Sequence, residues 1–330
     1  MNVVYAVVSV IACVLIVSGG VGLLGWQTLF GVVIPYLAIA LFILGLVYRI
    51  WKWSRAPVPF HIPTTTGQQK SLPWIKSDTV ESPHSNTGVI ARLAMEVFLF
   101  RSLFRNEKAE LEDSKKLSFK GNRWLWLGGL VFHWSLFIII FRHTRLFIEP
   151  VPYLITFVHE IDGILQKPFP ILYITDITIL LALTYLFIRR VVYPQLRYIS
   201  LTSDYFALLL LLGIVIQGSL MRLVYKVDVV AIKELAMGVL SFNPVVPEGI
   251  SLAFFIHLFL ICILVAYFPF SKMIHGAGVL FSPTRNLQNN SRQKRHINPW
   301  DYPVKVHTYE EWEDEFRDRI KSVGLPLERE

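Results

Sequence analysis

The sequence predicts an all-α integral membrane protein, a bundle of six transmembrane helices with both termini on the cytoplasmic side. Three observations predict it. The 330 residues are 54% hydrophobic and only 17% charged, and mean hydropathy is positive. The apolar residues arrive in six blocks, about 3–24, 30–50, 124–146, 169–191, 204–224 and 250–272, each near the roughly 20 residues needed to cross about 30 Å of hydrocarbon. The charges between the blocks alternate in sign of excess, as the positive-inside rule produces.

The segment 49–123 carries thirteen Lys and Arg, the loop 189–203 carries Arg189, Arg190 and Arg197, and the tail after 272 is basic. The segments 147–168 and 225–249 are sparse in basic residues and hold Glu149, Glu160, Asp162, Asp228, Glu234 and Glu248. Six spans put all three basic regions on one side. The net charge of +8 is therefore topology, and no nucleic-acid partner is expected.

The first two blocks form a hairpin through Gly25–Leu29, and 1–50 reads as a packing unit. Gly19, Gly20, Gly22 and Gly25 offer small surfaces for close helix contact. The first block lacks a basic n-region and an A-x-A site, so it reads as a retained span. Residues 51–123 form a cytoplasmic loop. It opens with 55-RAPVPFHIP-63, which reads as extended. After the caps Asn86 and Thr87, 89-VIARLAMEVFLFRSLFR-105 reads as a basic amphipathic helix, either on the membrane surface or docking a soluble partner. Residues 124–280 hold the other four spans. In the polar tail 281–330, 308-TYEEWEDEFRDRIKSVG-324 has a cap, acidic first turns and basic later turns, so it reads as a short helix. Trp300, Tyr302, Tyr309 and Trp312 give the tail a surface for a cytoplasmic partner.

Cys13 and Cys262 both lie inside predicted spans. Two cysteines cannot build a four-thiolate iron–sulfur site, and there is no C-x-x-C-H for covalent haem. The histidines carry more. His61, His84, His296 and His307 fall in cytoplasmic segments and His159 in an outer loop. The other four sit on two spans, His133 and His143 on the third, His257 and His275 on or just beyond the sixth. Ionisable residues inside a span are costly and usually functional. Bis-histidine ligation of haem needs one imidazole from each of two facing helices. The third and sixth spans run antiparallel, which pairs His133 with His275 toward the cytoplasm and His143 with His257 toward the outside, one b haem near each face.

The spacing raises a difficulty. Ten residues on the third helix give about 15 Å, and eighteen on the sixth about 27 Å. Straight parallel helices cannot satisfy both pairs. Pro269 lies between the sixth-helix ligands and predicts a bend there. Eighteen residues is also five whole turns, so His257 and His275 face the same way on an unbroken helix.

His133-x9-His143 and His257-x17-His275 resemble the membrane cytochrome b (gamma) subunit of respiratory nitrate reductase. The segment 268-FPFSKMIHGAGVLFSPTRN-286 is more specific and resembles the DsrM branch, the cytochrome b of the sulfite-reduction-associated membrane complex, related to heterodisulfide-reductase-like complexes. The resemblance covers about 120–286. It implies a four-helix dihaem cytochrome b domain over 124–280, menaquinone as lipid-soluble partner, and a cytoplasmic iron–sulfur subunit similar to the heterodisulfide reductase catalytic subunit. Further membrane and periplasmic redox subunits, a prokaryotic cytoplasmic membrane, and no substrate chemistry in this chain itself are also implied. In the nitrate reductase subunit the quinone lies beside the outer haem, which maps to 157-FVHEIDGILQK-167 with His159, Glu160, Asp162 and Lys167.

Arg142 and Arg145 beside His143, and Arg222 at the outer end of the fifth span, are candidate partners for haem propionates or snorkelling interfacial cations. Asp176 is the sole acid well inside a predicted span. A proton relay and a bond to a neighbouring arginine or backbone group are both open for it. The competing classes are a secondary transporter and a haem-free membrane anchor for soluble redox subunits. No internal repeat or pair of broken helices supports the first, and the second leaves the four histidines unexplained.

Overall fold

The computed structural model describes residues 1–56, 67–111, 116–163, 172–282, 284–293, 303 and 305–328. His61, Lys167, His296, Pro299, Trp300 and Tyr302, with most of the proline-rich stretch 55–63, lie outside the described residues. The described chain is mostly helical. Helix α1 (Asn2–Gly22) contains no acid or base and turns at Gly25, whose φ of 68° is a left-handed conformation that suits glycine. A π-helical turn, Leu29–Val33, leads into α2 (Ile34–Ser54). The hairpin closes tightly because residue 20 is glycine: a Cβ there would stand 2.5 Å from the Phe30 ring.

The remaining long helices are α5 (Arg123–His143), α7 (Ile174–Val192), α9 (Thr202–Leu220) and α11 (Leu252–Tyr267). Helix α7 packs against both α5 and α9, α1 packs against α9 and α11, and α2 packs along α11. Two cores result. One joins Phe132 of α5 with Ile179, Ala182 and Leu183 of α7 and Leu211 of α9. The other joins Val17, Val21, Phe30 and Phe255. Outside them the protein is apolar: Leu15, Leu37 and Leu44 are 57–68% exposed, whereas Arg142 and Asp162 are buried. Where lipid rather than water surrounds the bundle, helices associate through close packing and interhelical polar contacts, and this inside-out distribution fits that setting.

Among the described residues, five helices are long and apolar enough to cross a membrane: Asn2–Gly22, Leu29–Ser54, Arg123–Leu146, Thr202–Tyr225 and Leu252–Phe270. The fourth predicted block corresponds to α7, which is 19 residues long and carries Asp176, Arg189 and Arg190.

The bend expected at Pro269 is a full interruption. Helix α11 gives way to a 3-10 turn (Phe268–Phe270), Ser271 is extended (φ −107°, ψ 177°), a second 3-10 turn follows (Lys272–Ile274), and α12 (His275–Leu280) begins at the histidine. The five-turn argument for His257 and His275 thus does not apply, because no continuous helix joins them. Arg49 Nε donates to the freed Pro269 carbonyl at 2.9 Å. Gly45 lets α2 come this close, since a Cβ there would stand 2.7 Å from Pro269 Cγ.

At the end where α5 starts, Ser85 rather than Asn86 or Thr87 caps α3 (Asn86–Leu99), accepting from Gly88 N at 3.2 Å. The single helix expected over 89–105 is split at Phe100 into α3 and α4 (Arg101–Phe104). An antiparallel hairpin, β1 (Glu107–Leu111) with β2 (Leu117–Gly121), departs from the all-helical expectation. This loop folds together with the start of the tail: Asn289 N donates to Pro83 O at 2.7 Å and Asn289 Nδ2 to Ser82 Oγ at 3.3 Å. The tail helix (Tyr309–Ser322) forms as its charge pattern predicts, with Thr308 and Glu311 in a reciprocal capping box. At the opposite end, α6 (Tyr153–Asp162) and α10 (Val229–Leu240) cover the bundle. Lys233 of α10 pairs with Glu149 there.

Candidate functional site

Helix α5 carries both His133 and His143. His133 Nδ1 lies 2.7 Å from the Gly129 carbonyl and His143 Nδ1 lies 2.7 Å from the Ile139 carbonyl, each one turn earlier. His275 Nδ1 lies 3.0 Å from the Lys272 carbonyl. A carbonyl only accepts, so in each neutral ring Nδ1 holds the proton and Nε2 keeps a free lone pair, the arrangement typical of metal-ligating histidine. The interruption after α11 brings His275 to His133: the ring centroids are 5.9 Å apart with planes crossed at 88°. Metal–imidazole bonds of about 2 Å place two rings sharing one metal at about this separation.

His257 and His143 lie close enough to interact electrostatically. His257 faces the Ile214 carbonyl of α9, yet its buried Nδ1 closes no hydrogen bond of good geometry. Gly218 makes room for this ring, since a Cβ there would stand 3.1 Å from His257 Cε1. Among the described residues, no three His, Cys, Asp or Glu converge as a protein-only metal cage requires. Paired imidazoles therefore suit a metal that brings its other ligands with it. A haem meets that condition, and the pinned tautomers, ring separation and glycine cradle all fit it.

Beside His143 the ends of α5 and α6 and the start of α7 build a charged network. Arg142 Nη1 is 2.9 Å from Asp162 Oδ2, with both side chains 4% exposed, and Nη2 is 4.0 Å from Asp176 Oδ1. The Arg142–Asp162 contact is one of charge rather than an aligned hydrogen bond, because Arg142 Nη1 finds no acceptor at a favourable angle. Thr175 completes the Asp162 carboxylate, donating from N at 2.9 Å and Oγ1 at 2.6 Å. Arg222, in the π-turn Met221–Tyr225 that ends α9, donates to Asp176 Oδ2 at 2.9 Å. The Tyr173 ring is sandwiched between the guanidinium carbons of Arg142 (3.7 Å) and Arg222 (3.9 Å).

His159 of α6 joins through Arg145, whose Nη1 is 3.3 Å from His159 Nδ1. Arginine only donates, so Nδ1 accepts, and Nε2–H is left to face the Tyr173 hydroxyl at 3.3 Å. Burial pushes the His159 pKa down, and the nearby Arg145, Arg142 and Arg222 charges push it further. The imidazole is thereby kept neutral. Asp176 bonds arginine and also accepts from the Tyr173 backbone N–H at 3.4 Å. Glu160 is exposed on α6 and forms no ion pair among the described residues. Arg142 and Arg222 are paired with carboxylates, although Arg142 keeps Nε and Nη1 without an aligned acceptor, and Arg145 is the arginine of the three that forms no ion pair among the described residues.

Behind the Asp162–Thr175 pair, an open-sided apolar cleft of about 450 Å³ lies between α5, α6 and α7, walled by Val131, Trp134, Ile138, Val158 and Ile161. Tyr173, Thr175 and Gly218 were not legible as site residues in the sequence. Tyr173 and Thr175 sit at the end of an apolar block, where an aromatic or hydroxyl residue is ordinary, and Gly218 is one of several helix glycines.

The geometry accords with sequence comparison. The nitrate reductase gamma subunit family matches residues 88–295. An Hdr-like menaquinol oxidoreductase cytochrome b-like subunit from Archaeoglobus fulgidus is 44% identical over 280 residues, covering 83% of each chain. Its counterpart in Archaeoglobus profundus is 41% identical over 275 residues, covering 81% of each. The matched span contains all four candidate ligands, and on these grounds the chain belongs to the nitrate reductase gamma subunit family.

Proposed function

We propose that this chain is a DsrM-type, quinone-reactive dihaem cytochrome b subunit. It passes electrons between menaquinone or menaquinol and a cytoplasmic iron–sulfur subunit in dissimilatory sulfur metabolism. The observation that carries the reading is the imidazole geometry: three rings pinned through Nδ1, with His133 and His275 facing each other at 5.9 Å. His133 with His275 would hold the cytoplasmic-side haem, and His143 with His257 the outer one. Arg145 is the readiest propionate partner, with Arg142 and Arg222 behind it. Haem supplies one-electron carriers when bound. The relatives' printed name, menaquinol oxidoreductase, supports the quinone assignment, and Hdr-like supports a heterodisulfide-reductase-like partner.

Helix α7 is the fourth of six spans in this reading. Its acid is neutralised by Arg222, and Arg189 and Arg190 fall in its last turn, where they reach the interface. Both termini are then cytoplasmic, in a prokaryotic cytoplasmic membrane. The quinone ring sits against His159, Tyr173 and Asp162, with its apolar tail along the cleft. Neutral His159 takes the proton that quinol oxidation releases, and the Asp162 carboxylate offsets the positive charge that follows. Glu160 and Lys167 belong to the same quinone assignment. Haem quantification on the purified complex tests the reading: two b haems per chain are expected. A folded, haem-free chain would contradict it and return the choice to a transporter or an anchor.

A further inference from the structure

Helix α3 does not end where its sequence runs out of helix formers. It ends at Phe100, which adopts a left-handed conformation with φ 50° and ψ 47°. Such a C-terminal position normally falls to glycine or asparagine, and a bulky residue there is an outlier that invites a functional explanation. Two tryptophans of α5 hold the elbow. Trp134 Nε1 donates to the Phe98 carbonyl at 3.0 Å and Trp126 Nε1 to the Leu99 carbonyl at 2.7 Å, satisfying acceptors that a helix end leaves open. The Phe98 ring stacks on Trp134 and the Phe104 ring meets Trp126 edge-on. Beyond the elbow, Glu96 accepts from Ser102 N at 3.2 Å and from its hydroxyl, while Glu81 clasps Arg101 and Arg105.

These contacts fix one thing above all, the Phe100 ring. It meets the His133 imidazole edge-on, with centroids 4.9 Å apart and planes at 72°. Phe132 meets the same imidazole at 4.8 Å and 71°. His133 is ten residues into α5, or about 15 Å from its start. The elbow therefore reaches down the helix to the ligand instead of lying across its end.

We propose that Phe100 is a positioning residue of the inner imidazole pair: the α3–α4 elbow presses its ring on His133, keeps that imidazole crossed to His275, and shuts water out. This rests on the haem reading above. Its consequence is that the loop before α5 belongs to the cofactor site as well as to any partner surface. Imidazoles crossed in this way would give a haem held between them a strongly anisotropic low-spin ferric EPR signal. Exclusion of water disfavours the more highly charged ferric form and holds the midpoint potential up.

The test is EPR spectroscopy with redox titration of the purified complex carrying Phe100→Gly or Phe100→Tyr. Glycine suits φ 50°, so the first variant removes the ring without adding backbone strain. Expected in Phe100→Gly are a less anisotropic signal and a lower midpoint for one haem, the other haem unchanged, and both properties restored in Phe100→Tyr. Trp134→Phe, which removes the Phe98 carbonyl's donor, should move the same haem in the same direction. Two wild-type-like haems in Phe100→Gly would overturn the proposal alone. Absence of b haem in the wild type would overturn the haem reading and this one with it.

Discussion

At the scale of single residues, the charges next to His143 give the sharpest predictions. Arg142 and Asp162 are both almost fully buried, and removing one partner of a buried pair leaves a charge with little compensation. Asp162→Asn should therefore cost about 3–5 kcal/mol, read as a lower unfolding temperature in detergent. The double variant Asp162→Asn with Arg142→Met should recover much of it. If the single variant unfolds like wild type, the pair does not carry the stability assigned to it. His159 supplies a pH dependence with a definite sign. Its folded pKa is lowered, so its contribution to stability is complete above the unfolded value of about 6.5 and is lost as pH falls from there toward the folded pKa. Quinol-driven haem reduction should weaken over the same acid range, and His159→Gln should flatten that limb of the profile. The individual histidines were legible because an ionisable residue in an apolar block is conspicuous. Tyr173 was not, since its role comes from two arginines that arrive from α5 and the end of α9, and no local pattern encodes that meeting.

At the scale of elements, the interruption after α11 decides whether the inner pair can form. Residue counting left a mismatch of about 12 Å between the ligand spacings on the two helices, and Pro269 marked where it had to be resolved. How it is resolved was not legible. Ser271 is extended, Arg49 of α2 bonds the Pro269 carbonyl, and Gly45 lets α2 approach, so a helix assigned only a packing role holds the break open. Pro269→Ala combined with Arg49→Leu should let α11 continue and displace His275. Loss of the inner haem signal with the outer one retained is the expected spectrum, and equal retention of both would contradict the account. Gly218→Ala is the mirror case on α9: its methyl crowds the His257 ring, and the outer haem should be the one perturbed. The α3–α4 elbow was read as one helix because its apolar periodicity runs straight through Phe100. The capping tryptophans lie 27 and 36 residues beyond the carbonyls they cap, too remote for a local pattern to register.

At the scale of the whole molecule, hydropathy and charge alternation made the helical membrane bundle legible, and five of the six blocks stand as helices long and apolar enough to span. The fourth differs through three charges, two of them paired within the protein, Asp176 with Arg222 and Arg190 with Asp204. The six-span arrangement predicts that a reporter fused after residue 330 is active in the cytoplasm and that one inserted after Lys226 is active outside. The reverse, Lys226 inside and residue 330 outside, would remove α7 from the membrane, and a shared location would remove α11. The cofactor claim is central to every other one, and it is tested most directly by dithionite-reduced minus oxidised spectra with redox titration on wild type and the four single His→Ala variants. The account predicts two b haems in wild type, with His133→Ala and His275→Ala losing one and His143→Ala and His257→Ala losing the other. Unaltered spectra in any of the four, or losses that pair the histidines differently, would contradict it.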